Sequence, residues 1–425
     1  MERFLQIFRI PDLRKKVFIV VGLLVAFRLF AAIPIPGVDA AALENFFRER
    51  QFFGFLNIIS GGGLSNLSVA MLGVGPYITA TIIMQLLTVI FPSLKKAYFE
   101  EGAQGYAKFN RLSRYLTVPL AALQGYGFLA LLTTQGVIAP QGAFQTLTNV
   151  LVITAGSMIV LWLGELISEQ KIGNGVSLII FAGIVSRWPT SLAQALIAYN
   201  PGLLMTYIGF VIVAILLIGA IVYLNEGERK VPVAYARRVR GTKLYGGASS
   251  YLPLKVNQAG MIPLIFAISV LLFPQFFAQI IAAISPDVGA KISDFVNGFF
   301  NNGIVYGISY FFLVFIFTYF YTSITFDPEE IAKNLQRAGG FIPGIRPGTA
   351  TAQFIKRTLG KLTFLGAVFL GLIAVAPLVV QAFTGLQFLR LSGASLLIVV
   401  AVALETMRQI DAQLTMREYE GFHMR

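Results

Sequence analysis

Roughly every 40 residues this chain enters a stretch of about 20 mostly apolar residues, the length an α-helix needs to cross a bilayer. Ten such spans are expected, near 17–36, 73–91, 114–137, 148–168, 173–190, 202–224, 256–280, 303–325, 362–383 and 389–408. That repetition leaves one fold class, an all-α polytopic membrane protein. A composition of 56% hydrophobic and 12% charged residues agrees with it. The amino-terminal MERFLQIFRIPDLRKK has no small-residue cleavage site behind it and reads as a retained amphipathic lead.

The net charge of +13 would suit a nucleic-acid binder. Its distribution points elsewhere. With the amino terminus placed in the cytosol, twenty-seven of the 33 Lys and Arg fall on the cytosolic side, against five outside and Arg28 inside span one. Fifteen of the 20 acidic residues fall on the same side. The positive-inside rule then supports ten spans with both termini cytosolic, and it absorbs nearly all the excess charge.

Two cytosolic loops, about 225–255 and 326–361, are long. KVPVAYARR and KLYGGASSYLPLK read as two strands around a tip at Arg240-Gly241-Thr242-Lys243. In FDPEEIAKNLQRAGG, Asp327 suits an N-cap, Pro328 the first helical position and Gly339 the stop. FIPGIRPG follows, with Pro-Gly pairs holding Arg346 in a tight turn. These loops are either solvated connectors or docking surfaces, and their length favours docking.

Ten spans divide into halves of five, 1–200 and 201–425. An odd number per half inverts the second half relative to the first. Spans two and seven then correspond, and each starts with a Gly and a Pro three residues later: Gly73 and Pro76, Gly260 and Pro263. Ahead of span two, FLNIISGGGLSNL (about 55–67) is apolar but too short to cross, and three glycines cut it. Irregular backbone at membrane depth must be buried in protein or line a cavity. The segment is therefore a re-entrant plug resting in a pore, or else an outer surface loop.

Several chemistries have no residues to carry them. No Walker A motif is present, and Cys is absent. Ile172-Gly173-Asn174-Gly175 resembles the start of a dinucleotide fingerprint, with Leu178 where the third Gly belongs. The single histidine, His423, lies in the tail. No span carries Asp or Glu at its middle; Glu165 and Glu405 lie near cytosolic ends. A small-solute transporter coupled to ions would need intramembrane ionisable groups. An intramembrane enzyme would need a Ser/His, Asp/Asp or metal set. No catalytic residue, metal site or cofactor is expected.

LGVGPYITATIIMQLLT, IGNGVSLIIFAGIV, LPLKVNQAGMIPLIFA, FIPGIRPG and ASLLIVV, in this order and spacing, resemble the bacterial SecY family, the central subunits of the protein-conducting channel, or translocon. The resemblance covers essentially the whole chain. It implies two inverted five-helix halves around a central hourglass pore, sealed at its waist by apolar side chains. Carried over by motif, that ring is Val74, Ile78, Val176, Ile180, Ile262, Ile265 and Ile398. The family often has Ile where this chain has Val74 and Val176, so its ring is expected to be slightly looser. The plug matches at Asn57, Ser60, Gly61, Gly62, Gly63, Leu64 and Asn66. Spans two and seven become the lips of a lateral gate, where Thr79, Gln85, Thr88 and Asn257 are wetter than lipid-facing positions. The implied function is translocation of unfolded secretory polypeptide, with sideways release of hydrophobic segments into membrane lipid. The implied partners are signal sequences, SecE and SecG, and the SecA ATPase or the ribosome with its RNA. Arg240, Lys243 and Arg346 are the expected docking contacts, in a cell (plasma) membrane setting.

Overall fold

The computed structural model describes residues 10–35, 63–64, 67–99, 101–134, 136–197, 201–235, 238–240, 243–245, 249–384 and 393–423. Each of the ten expected spans falls on a helix. In chain order the helices are α1 (Pro11–Phe30), α2 (Gly75–Ile90), α3 (Pro92–Phe99), α4 (Gly102–Thr134), α5 (Ala143–Glu169), α6 (Gly175–Val185), α7 (Trp188–Ile197) and α8 (Leu204–Glu226). After the strands come α9 (Ile262–Ile284), α10 (Pro286–Asn301), α11 (Gly303–Thr325), α12 (Pro328–Arg337), α13 (Thr349–Thr384) and α14 (Gly393–His423). By length and composition, 5 helices among the described residues could each cross a membrane, or 6 with α2 and α3 counted as one bent span.

Where boundaries differ from expectation, backbone chemistry explains it. Span one starts six residues early and ends at Phe30, because the residue before Pro34 is pushed out of the helical region. Span two turns by 117° at the Phe91-Pro92 junction. Span five breaks around Ser186 and Arg187, and α7 restarts with Pro189 in its first turn. Span seven starts at Ile262 rather than 256, because Val256 still belongs to a strand ladder, its N–H donating to the Gly227 carbonyl at 2.8 Å. Helices α4 and α13, at 33 and 36 residues, run well past a bilayer's thickness at their amino-terminal ends.

Two compact units emerge. The first comprises Met1–Asn200, Ile268–Gly303 and Ile398–Arg425; the second comprises Pro201–Ala267 and Ile304–Leu397. Two later segments, Ile268–Gly303 and Ile398–Arg425, thus cluster with the first unit. In the first unit α4 lies between α2 and α5, and α1 packs on α5 and α6. Leu13 on α1 packs with Leu414 on α14, and Lys16 Nζ donates to Gln413 Oε1 at 3.4 Å. Gln413 Nε2 in turn donates to the Lys171 carbonyl.

The second unit carries the sheet. Strands β1 (Glu228–Tyr235), β4 (Ser249–Lys255) and β5 (Gly340–Phe341) form it in the order β4-β1-β5, all antiparallel. Strands β2 (Arg238–Arg240) and β3 (Lys243–Tyr245) extend the same hairpin, with Arg240 opposite Lys243, as the sequence predicts. Pairing of Ala234 with Phe341 welds the two long loops into one platform, which sequence reading treats as separate features. Beneath it Val231, Leu254, Ile342, Ile355 and Leu359 form a buried core. Because β5 pairs with β1, both loops lie on one side of any membrane, so an even number of crossings separates them.

Candidate functional site

The segment leading into α2 is held by three independent devices. Ile35 N–H donates to the Leu67 carbonyl at 2.8 Å, and Val69 N–H donates to the Ile33 carbonyl at 2.9 Å. These bonds make an antiparallel bridge centred on Pro34 and Ser68. Ser68 then closes a turn, its N–H and Oγ both donating to the Gly63 carbonyl at 3.0 Å. Leu64 and Leu67 are fully buried with Ile35, Met71, Leu132 and Ile153. Finally, α5 has Gly156 where a Cβ would overlap the Val69 carbonyl oxygen, so α5 can lie directly against this backbone. Gly63 and Leu64, expected as plug residues, are the end of that segment tied to this base. Asn57, Ser60, Gly61, Gly62 and Asn66 lie outside the described residues. In the sequence Ile33–Ile35 reads as the end of span one, and only the facing backbone of Leu67 and Val69 makes it a bridge.

The seven ring positions share a local geometry. Val74 is the N-cap of α2, and Ile78 sits one turn in, with its N–H bonded to the Val74 carbonyl at 3.0 Å. Val176 and Ile180 occupy the first turns of α6, Ile262 and Ile265 those of α9, and Ile398 lies early in α14. Val74, Ile78, Ile180, Ile265 and Ile398 are buried; Val176 and Ile262 are half-buried. Each pair is three or four residues apart and so shares a helix face. Ile262 and Ile265 lie in the second unit and the other five in the first. The helix starts themselves match across the sequence: Gly73 at φ +52 precedes α2 by two residues, and Gly260 at φ +63 precedes α9 by two. Left-handed backbone favours Gly, and each helix then has Pro in its second position, where the missing N–H costs nothing. A weak sequence match is therefore a shared backbone device.

IGNGVSLII resolves as a helix start rather than a nucleotide cradle. Asn174 caps α6, its side chain accepting from Ser177 N–H at 3.2 Å. Gly175 N–H donates to Ser168 Oγ at 2.8 Å, and a Cβ at Gly175 would overlap the Gly164 carbonyl on α5. The glycines serve helix contact. On the same helix, Glu165 forms an ion pair with Arg114 of α4 at 2.6 Å, which gives an acid near a span end its partner.

The polar residues of α2 are mostly self-satisfied. Thr79 and Thr88 are buried and donate to backbone at Gly75 (3.1 Å) and Gln85 (2.6 Å). Gln124 on α4, which sequence reading missed, reaches Thr79 Oγ1 at 3.4 Å. Gln85 is different: its buried Oε1 has no hydrogen-bond partner among the described residues. An unsatisfied buried acceptor costs about 1–3 kcal/mol. Gln85→Leu is therefore expected to raise the thermal unfolding midpoint of the purified protein; a lower midpoint would show that the amide is satisfied after all. Asn257 sits at the root of the hairpin, its Nδ2 donating to Asn225 Oδ1 at 2.8 Å.

On the platform, Asp327 caps α12 by accepting from Glu329 and Glu330 N–H at 2.9 and 3.3 Å, and Gly339 ends it at φ +72. Ile345 N–H closes on the Ile342 carbonyl at 3.0 Å around Pro343 and Gly344 (φ +82), a type II turn. Ile342 and Ile345 dip into the core, while Arg346 between the two turns is exposed. The Arg346 carbonyl accepts from Thr351 Oγ1 at 2.9 Å, fixing the backbone without using the guanidinium. Arg240 and Lys243 are backbone partners at the hairpin tip.

Comparison with known proteins shows the family and the fold. A SecY family model matches residues 68–407. The protein translocase subunit SecY of Streptomyces galbus is 41% identical over 99% of each chain, and that of Mycobacterium tuberculosis is 41% identical over the same shares. Among solved structures, a protein-conducting channel superposes with TM-score 0.63 at 21% identity, over 93% of this chain and 91% of that one. A SecY whose plug domain stabilises the closed channel and maintains a membrane seal gives 0.64 at 21% identity over the same shares. Canine Sec61 from a ribosome–channel complex gives 0.61 at 20%. At these identities the structures speak for the fold, and the translocase subunits for the family. The chain belongs to the SecY family, a family of multi-pass membrane channel subunits and not of enzymes.

Proposed function

We propose that this chain forms the polypeptide pore of a plasma-membrane translocon, with both termini cytosolic and two inverted five-helix halves, 1–200 and 201–425. Unfolded polypeptide passes outward through a waist formed by Val74, Ile78, Val176, Ile180, Ile262, Ile265 and Ile398. Asn57 to Asn66 plugs the waist at rest. Spans two and seven part at Thr79, Gln85, Thr88 and Asn257 to admit signal sequences and release apolar segments into lipid. SecA or the ribosome supplies the drive at Arg240, Lys243 and Arg346, and SecE and SecG attach within the membrane. The observation that carries the reading is the placement of six of the seven aliphatic residues at helix starts marked by Gly, Pro or Asn, on α2, α6 and α9. A helix such as α6, with 11 residues, spans only about 16 Å. It is too short to cross alone, and we place its start within the membrane, where an apolar ring would exclude water and ions by dewetting.

The absence of Cys makes the test clean. One Cys is placed at position 180 and another in the middle of a secretory protein stalled during export. A disulfide between them is expected. Silence at 180 and at neighbouring positions, with the stalled chain verified as inserted, would remove polypeptide from this path.

A further inference from the structure

Helix α10, between spans seven and eight, has no role in the channel as described so far. It is joined to α9 by Ser285 alone and to α11 by Asn302 alone. The joints are hydrogen-bonded: Ser285 N–H donates to the Ile281 carbonyl at 2.7 Å, and Asn302 N–H donates to the Gly298 carbonyl at 3.2 Å. The connector therefore has no slack. It is not itself a span. Pairing of β1 with β5 requires an even number of crossings between them, and α9 and α11 already supply two.

Its residues sort by helical angle. Asp287, Lys291 and Asp294 share one face and are all exposed. Val288, Ile292, Phe295 and Phe299, at spacings of four, three and four, share another. The far flank of this apolar face is buried in the protein at Gly289 and Val296, but Val288 is 50% and Phe295 79% exposed. An exposed Phe of that degree is costly in water, at about 25 cal/mol per Å² of apolar surface. On the preceding helix, Phe277 of α9 is exposed as well.

We infer that α10 is an interfacial anchor. It lies in the headgroup layer of the leaflet opposite the sheet platform, with Val288 and Phe295 in the acyl region and Asp287, Lys291 and Asp294 in water. The occupant of its apolar strip is bilayer lipid, because the strip follows on from the exposed Phe277 of α9 and is flanked by a charged face. Its tight joint to α9 fixes the depth of the end of α9 at that leaflet.

The full chain, reconstituted in phosphatidylethanolamine/phosphatidylglycerol vesicles, would carry single Cys residues at 287, 288, 291, 294 and 295, each spin-labelled in turn. Accessibility to O2, which partitions into lipid, is compared with accessibility to a water-soluble nickel chelate. The expected O2-to-nickel ratio is severalfold higher at 288 and 295 than at 287, 291 and 294. Equal ratios at all five positions would put the whole helix in water and overturn the anchor. Exclusion of both reagents at 288 and 295 would mean the strip is covered by protein, a second copy or another subunit, and would overturn it equally.

Discussion

Arg346→Glu is expected to reduce SecA-driven import of a secretory precursor into inverted vesicles by roughly 30-fold or more at limiting motor concentration. Reversing one partner of a buried interfacial charge pair costs about 2–5 kcal/mol, and each 1.4 kcal/mol is about tenfold in affinity. The turn itself should survive. Its conformation depends on Pro343, Gly344, the buried Ile342 and the half-buried Ile345, and Thr351 bonds only the carbonyl of Arg346. The loss should therefore be one of docking, and raising the SecA concentration should restore part of the rate. Arg346→Lys keeps the charge but not the bidentate fork, and should fall between the two. Binding of SecA to stripped vesicles separates the outcomes. Full import with Glu at 346 would remove this arginine from the contact. Lost import with unchanged binding would move its role to a later step.

That prediction uses a part of the molecule legible from sequence. Asp327, Pro328, Gly339 and the Pro343-Gly344 pair announce a capped helix and a turn through local chemistry, and the structure has both. The hairpin tip between Arg240 and Lys243 was equally readable, because two strands of alternating character meet at two turn residues. What sequence did not reveal depends on contacts between distant residues. Nothing in Gly340-Phe341 signals that it will pair with Ala234 and Tyr235. Ile33–Ile35 reads as the end of an apolar span, and only the facing backbone of Leu67 and Val69 makes it a strand-like bridge. Likewise Leu178 breaks the fingerprint at Gly173 and Gly175 in the sequence, but only Gly164 against Gly175 shows what those glycines serve. In a membrane chain the apolar signal is nearly continuous, so hydrophobicity marks which segments are spans but not where each helix begins.

The bridge at Ile33–Ile35 leads to the second large effect. Gly156→Ala should make the resting channel leak ions about as much as deletion of residues 57–66 does. In an exposed helix Ala is favoured over Gly by about 1 kcal/mol, so any defect must come from contact. Here the added methyl would overlap the Val69 carbonyl. Overpacking of this kind costs about 1–3 kcal/mol, and the cheaper adjustment is to lift Val69 away from α5. That movement strains the bond from Val69 to Ile33 and the bridge with it. A plug tethered to a loosened base would no longer seat, although its own residues are unchanged. Gly219→Ala is the matched control, because a Cβ there meets nothing within 4 Å; its conductance should equal the parent's. The combination with the deletion decides the mechanism. If the base acts only through the plug, Gly156→Ala adds no further leak to the chain lacking 57–66, since both changes disable one device. Additive leak would show that Gly156 shapes the pore wall directly. A tight Gly156→Ala channel would show that the base yields without releasing the plug.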